Sequence, residues 1–142
     1  MLPRYALIQA VRENCPDGIA RAMHDGAKVD DRDFSGLTAI ELAQKLDRPR
    51  AAKALLEAGA DSNQRVGKRG DTLLHRCARQ GDYGFARLLL EHGADASLGN
   101  SFGKTPLHYA KLQGHDYLAS HLNTVAPSEE GRLYRTSQTR SA

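Results

Sequence analysis

The stretch Gly99-Asn100-Ser101-Phe102-Gly103-Lys104-Thr105 comes nearest to recognisable chemistry, because Gly-Lys-Thr closes the glycine-rich loops that cradle phosphate groups. Such a loop needs four residues between its glycines so that successive N–H groups curl around the phosphate, and here there are three. Nucleotide binding is not expected. Six histidines raise metal binding and acid–base catalysis, but His115 and His121 stand six apart, not the three or four that put two ligands on one helical face. No metal site and no cofactor is expected. Cys15 and Cys77 lie far apart with no second pair to build a zinc knuckle or a disulfide framework, which suits a reduced, cytoplasmic protein. No Gly-x-Ser-x-Gly elbow occurs, and no nucleophile, base and orienting group can be assembled, so the chain is not read as an enzyme and has no expected catalytic residue. Arg69-Gly70-Asp71 spells the integrin-recognition tripeptide, yet Met1 to Pro16 lacks the uninterrupted apolar core of an export signal.

The bulk numbers fit one soluble globular domain. The chain has 142 residues, 40% of them apolar and 26% charged, which argues against global disorder. No run approaches the roughly 18 apolar residues that cross a bilayer. The net charge of +3 sets 20 basic residues against 17 acidic ones. That bias favours an acidic partner but is too diffuse to form the basic stripe of a nucleic-acid binder.

The elements that would hold any site emerge from an internal period. Gly36-Leu37-Thr38-Ala39-Ile40-Glu41-Leu42-Ala43, Gly70-Asp71-Thr72-Leu73-Leu74-His75-Arg76-Cys77-Ala78 and Gly103-Lys104-Thr105-Pro106-Leu107-His108-Tyr109-Ala110 align, their glycines 34 and 33 residues apart. A second ladder runs through Gly26-Ala27, Leu55 to Asp61 and Leu89 to Asp95, with glycines 33 and 34 apart. These markers resemble ankyrin repeats, whose unit of about 33 residues carries Thr-Pro-Leu-His near the start of its first helix. The third copy matches that motif fully, the second lacks only the proline, and the first has Glu41 in place of His.

The resemblance implies an all-α solenoid of about four stacked helix-turn-helix repeats with finger loops. The expected repeats cover about 3–35, 36–69, 70–102 and 103–126 within a domain of residues 1–126, followed by a flexible tail at 127–142. It also implies that His75 and His108 hydrogen-bond backbone in a neighbouring turn, and that Cys77 is an inert core thiol two repeats from Cys15, too far to bridge. The residues support the same picture independently. Leu74, Cys77 and Ala78, then Phe85, Ala86, Leu89 and Leu90, recur at helical spacing on either side of Gly81. Gly81 and Gly114 suit the left-handed conformation that stops a first helix, with Asn14 and Asp47 in the equivalent places. Pro16 and Pro49 stand where second helices begin. One finger, Gly59 to Gly70, is a residue longer than its counterparts and carries Arg65, Lys68 and Arg69.

A stack of this kind exposes its fingers and the outer side of its first helices on a concave face, and binding is expected there. On the first helices, positions i, i+3 and i+4 share one face: Gln9, Arg12 and Glu13, then Leu42, Lys45 and Leu46, then Arg76, Arg79 and Gln80, then Tyr109, Leu112 and Gln113. The fingers add Phe34 and Leu37, then Lys68 and Arg69, then Phe102 and Lys104. With Arg12, Lys45 and Arg79 in one column, this face should be basic, and Arg79 and Leu46 are both read as facing solvent. The resulting expectation is a protein-binding module, adaptor or inhibitor, similar to small stand-alone bacterial ankyrin proteins. It would be monomeric alone and bind a partner protein with an acidic surface, with no membrane association. Nucleic-acid binding through the basic surface and catalysis are the alternatives.

Overall fold

A computed structural model describes residues 2–125; the tail expected at 127–142 lies outside the described residues. Among the described residues the fold is helical apart from one short antiparallel strand pair and an isolated bridge between Arg32 and Thr38. Its helices are α1 (Pro3–Arg12), α2 (Pro16–His24), α3 (Ala39–Lys45), α4 (Pro49–Glu57), α5 (Leu73–Gln80), α6 (Tyr83–Glu91), α7 (Pro106–Leu112) and α8 (Asp116–Val125). The strands β1 (Arg65–Val66) and β2 (Asp71–Thr72) pair Arg65 with Thr72 and Val66 with Asp71. The residues divide into two compact units, one ending at Asp61 and the other beginning at Ser62.

Each helix pair is built by one local device used four times. Asn14, Asp47, Gly81 and Gly114 all adopt positive φ, between 54° and 76°, just past the first helix of each pair. The next residue then turns its N–H back onto the carbonyl five positions earlier: Cys15 to Ala10 at 2.9 Å, Arg48 to Ala43 at 2.8 Å, Asp82 to Cys77 at 3.0 Å and His115 to Ala110 at 2.9 Å. This closure satisfies a carbonyl that the helix end would otherwise leave open. The second helix starts at once. Pro16 and Pro49 occupy its first position in the first unit, where a missing N–H costs nothing. In the second unit Asp82 accepts the Phe85 N–H at 3.1 Å and opens α6.

Apolar faces then stack helix pair on helix pair. In the first unit α3 packs on α1 and α4 on α2, burying Leu7, Val11, Ile19, Ile40 and Leu55. In the second, α5 packs on α7 and encloses Leu74, Cys77, Phe85, Leu89 and Leu107, with Leu118 and Leu122 from α8. Each fully buried side chain of this size contributes about 1.5–3 kcal/mol. Ala43, Ala51 and Ala52 in one unit and Ala78, Ala86 and Ala110 in the other are fully covered, where a larger side chain would force the helices apart.

Candidate functional site

The finger tips carry exposed phenylalanines, Phe34 in the first unit and Phe102 in the second. In the first unit the turn is organised by Asp33, whose Oδ1 accepts the N–H groups of Ser35 at 2.8 Å and Leu37 at 3.0 Å. The Asp33 N–H bonds the Leu37 carbonyl at 2.8 Å, and Arg32 donates to the Gly36 carbonyl at 2.6 Å. With its backbone bonds closed inward, the turn leaves Phe34 at its tip 95% exposed. Leu37 is half-buried. Behind the finger, Lys45 is exposed and Leu46, the C-cap of α3, is half-buried, with its carbonyl receiving Arg48 at 3.0 Å. Leu46 is therefore only partly open to solvent, short of the fully outward position expected for it.

The same finger and the outer face of α1 enclose a cleft of about 430 Å³. Leu2 and Tyr5, before and within the first turn of α1, line it together with Phe34, and both are at least half exposed. Sequence reasoning named Phe34 and left out Leu2, Tyr5 and Ile8. Leu2 and Tyr5 are i, i+3 neighbours continuing through Ile8 and Gln9, so their common face was legible; the finger's approach to it was not.

In the second unit the longer finger becomes the β1–β2 hairpin, its four-residue tip placing Lys68 and Arg69 in solvent. Arg65 reaches across to the carbonyls of Gly70 at 2.7 Å and Gly99 at 2.8 Å, and Ser101 N–H donates to the Arg69 carbonyl at 2.9 Å. The hairpin is thus tied to the following finger. There Asn100 plays the part that Asp33 plays in the first unit: its Oδ1 accepts from Phe102 and Lys104 N–H, both at 3.0 Å. Phe102 projects 64% exposed, with the Arg69 guanidinium 6.0 Å from its ring centre, and Lys104 is exposed beside it. Because Asn100 already occupies two of these N–H groups, they are not available to wrap a phosphate.

Behind the fingers lies a polar network. Asp71 is 4% exposed and receives Arg79 and, at 2.9 Å, the Asn100 amide. Asn100 also donates to the Tyr109 hydroxyl at 2.8 Å, and the Arg79 guanidinium stacks 4.1 Å from the Tyr109 ring centre. Burial would raise the Asp71 pKa, but the hydrogen bonds from Arg79 and Asn100 and the Arg79 charge outweigh it and hold the carboxyl below its ordinary value. Arg79, expected in solvent, has only 24% of its side chain exposed. Its partner Asp71 stands eight residues earlier, in β2 before α5 begins, so spacing along one helix could not reveal the pair. The same contact disposes of the Arg69-Gly70-Asp71 tripeptide, since its carboxylate is buried and paired. Arg76 and Tyr109 are half-buried, and Leu112 is 66% exposed at the end of α7.

His75 is wholly buried and structural. The Thr72 N–H donates to Nδ1 at 2.9 Å, which fixes the proton on Nε2, and Nε2–H donates to the Lys104 carbonyl at 2.7 Å. Burial lowers its pKa more than the Lys104 carbonyl and Asp71 raise it. His108 is half-buried and meets Tyr109 edge-on at 5.1 Å. Among the described residues no group of three or more His, Cys, Asp or Glu is arranged to hold a metal, and no helix is long and apolar enough to cross a membrane.

Comparison with known proteins agrees with this construction. The family model described as "Ankyrin repeats (3 copies)" matches residues 62–125. An ankyrin repeat-containing protein of Treponema pallidum is 40% identical over 107 residues, covering 72% of this chain and 35% of that protein. The mouse ankyrin repeat and SOCS box protein 16 is 37% identical over 100 residues, covering 65% and 22%, and the human ARF GTPase-activating protein GIT2 is 35% identical over 108 residues, covering 72% and 14%. The chain thus spans about a third or less of the length of these curated relatives. Ankyrin repeats are protein-binding units, and the enzymatic activities in such names belong to multidomain proteins whose catalytic parts lie elsewhere. Four uses of one helix-stop device, the Thr N-caps of α3, α5 and α7, the finger turns and these matches have a single explanation: the chain belongs to the ankyrin-repeat proteins.

Proposed function

We propose that this chain grips a partner protein bearing an acidic surface, as an adaptor or as an inhibitor that occupies the partner's working face, and that it does so in a reducing cytoplasmic setting. The observation that carries this reading is that a finger in each unit presents an exposed phenylalanine beside basic residues: Phe34 next to Arg32, and Phe102 next to Arg69 and Lys104. Apolar anchors set among arginines are the usual composition of an interface centre. Leu37, Lys45 and Leu46 extend the proposed contact in the first unit, and Lys68, Arg76, Tyr109 and Leu112 extend it in the second. Arg79 contributes through its hold on Asp71 and Tyr109 rather than as a free charge.

The test is purification of the full chain with its partner from the native cell, followed by affinity measurement with variants. Phe34→Ser and Phe102→Ser should each raise the dissociation rate, and Lys104→Glu should slow association. Arg87→Glu on α6, whose side chain is exposed and pairs with Glu91 at 3.0 Å, is the control on a second helix. Equal affinity across all four and the parent would place the partner elsewhere.

A further inference from the structure

The cleft in the first unit has a composition specific enough to define its ligand. Its apolar part comprises Leu2, 72% exposed, Tyr5, 50%, and Phe34, 95%, over the nearly buried Ile8. Three large apolar side chains left open around one cavity are unusual for a soluble surface, and a volume of about 430 Å³ lies in the range that receives a ligand group. The charged part is Arg4, Arg12 and Arg32, all exposed, against the single carboxylate of Asp33. That carboxylate is already neutralised in part by two N–H groups of its own turn. The cleft is therefore apolar at its centre and cationic at its margins.

The spacing of the arginines sets the ligand's length. Arg4 and Arg12 are eight residues apart on one helix, or about 12 Å along its axis at about 1.5 Å per residue. An extended peptide advances about 3.3 Å per residue, so it covers that distance in about four. We infer that this cleft binds an extended acidic peptide segment of a partner protein, with one large apolar side chain seated over Ile8, midway between the two arginines and beside Tyr5 and Phe34, and carboxylates about two residues to either side facing Arg4 and Arg12. This deepens the proposed function and rests on it: it assigns the anchor to the first unit and gives the bound segment a pattern, acidic-x-apolar-x-acidic. A nucleic acid would use the arginines and stack on the aromatic rings, but Leu2 and Ile8 offer it nothing and the Asp33 carboxylate faces the same space.

The probe is a fluorescently labelled peptide with one Phe flanked about two residues away on each side by Glu and otherwise made of Gly and Ser. It is titrated into the full chain and followed by anisotropy. Replacing the peptide's Phe by Gly should weaken binding about tenfold or more, as should Tyr5→Ser or Phe34→Ser in the protein. Arg12→Glu should weaken the Glu peptide and strengthen a counterpart carrying Lys at the same places. That exchange reports charge pairing and not a general loss of fold. Phe34 and Arg12 are exposed, so the melting curves of these variants should overlay the parent.

Indifference to the peptide's Phe, or no reversal with Arg12→Glu, overturns the inference. So does tighter binding of an oligouridine RNA with a steep salt dependence. Peptide binding that Phe102→Ser abolishes and Phe34→Ser leaves intact overturns the assignment to this cleft while sparing the wider reading of the fingers. A natural partner that ignores both phenylalanines defeats that wider reading as well.

Discussion

The two units meet the same backbone requirement at the end of the first helix of each pair and differ in how they tie one pair to the next. In the first unit the left-handed residue is Asn14, and its own side chain makes the tie, Oδ1 accepting the Ala51 N–H in the first turn of α4 at 2.9 Å. In the second the left-handed residue is Gly81, and the tie comes from the opposite direction. His115 lies against the glycine and places Nε2 3.1 Å from the Arg79 carbonyl. A Cβ on Gly81 would stand 2.6 Å from His115 Nδ1. A tie through the stop residue needs a side chain that tolerates positive φ, and a tie through the neighbour needs no side chain at all. The conserved element of the architecture is a dihedral angle, and residue identity follows from which side supplies the hydrogen bond.

A parallel difference separates the capping boxes. Thr38 with Glu41 opens α3, and Thr72 with His75 opens α5. His75 adds a second ring nitrogen that reaches the Lys104 carbonyl in the following finger, so one side chain both caps its own helix and joins two repeats.

The largest expected effect that would sharpen this contrast is Arg79→Glu. It sets a carboxylate against the buried Asp71 and removes the stack on Tyr109, and the second unit should lose about 3–5 kcal/mol. Lys45→Glu, in an exposed position of the first unit, should change stability by no more than about 0.5 kcal/mol. Denaturant titrations read by circular dichroism measure both, and similar losses would mean that the Asp71 network is not what holds the second unit's finger to its helix.

Next in size, Gly81→Ala combines left-handed strain with displacement of His115 and should cost about 2–4 kcal/mol. Gly114→Ala has the same sign of φ with open space around the added methyl, so strain alone remains, about 1–2 kcal/mol. Asn14→Gly keeps the dihedral and loses the bond to Ala51, costing about 1 kcal/mol. If Gly81→Ala and Gly114→Ala proved equal in thermal unfolding, the account of His115 as the second unit's tie would fail.

His75→Ala should cost about 1–3 kcal/mol by stranding the Thr72 N–H and the Lys104 carbonyl. The smallest effect is the pH dependence from the same residue. Its pKa is lowered from 6.5 in the folded chain, so the unfolded chain binds the proton first as pH falls. The stability is fully present above about pH 6.5 and is lost progressively below it, with Asp71 adding a further loss below its ordinary value of 3.8. Urea midpoints at about pH 7.5 and 5.5 should therefore converge in His75→Ala relative to the parent, and an unchanged gap between them would assign the pH dependence to other histidines.

Much of the fold was legible because periodic residues report backbone demands. Positive φ, a proline at a helix start and apolar residues at helical spacing are properties of one segment, and Asn14, Asp47, Pro16, Pro49 and the Leu74–Cys77–Ala78 face could be assigned without knowing what lay beside them. The family model matches only residues 62–125, where the motif residues are fullest, although the first unit stops its helices with the same closure. There the demand is met by Asn and Asp, and a reading based on residue identity loses what a reading based on conformation retains.

The candidate surface was legible only in part. Phe34, Phe102, Lys68, Arg69 and Leu112 lie at finger tips or helix ends, where local chain direction decides exposure, and they are exposed as expected. Arg79 was misjudged because exposure there depends on Asp71 in the hairpin and Tyr109 on the following first helix, and Leu46 because α3 ends against Arg48. The cleft that gathers Leu2, Tyr5 and Phe34 joins segments some thirty residues apart. By itself the sequence determined the repeat, the helix stops and the residues that line each unit's core, because these are set by interactions within a few turns of chain. Which charges are free, which are buried in pairs and where a cleft opens depend on the distance between a finger and a helix distant in sequence, and packing alone determines that distance.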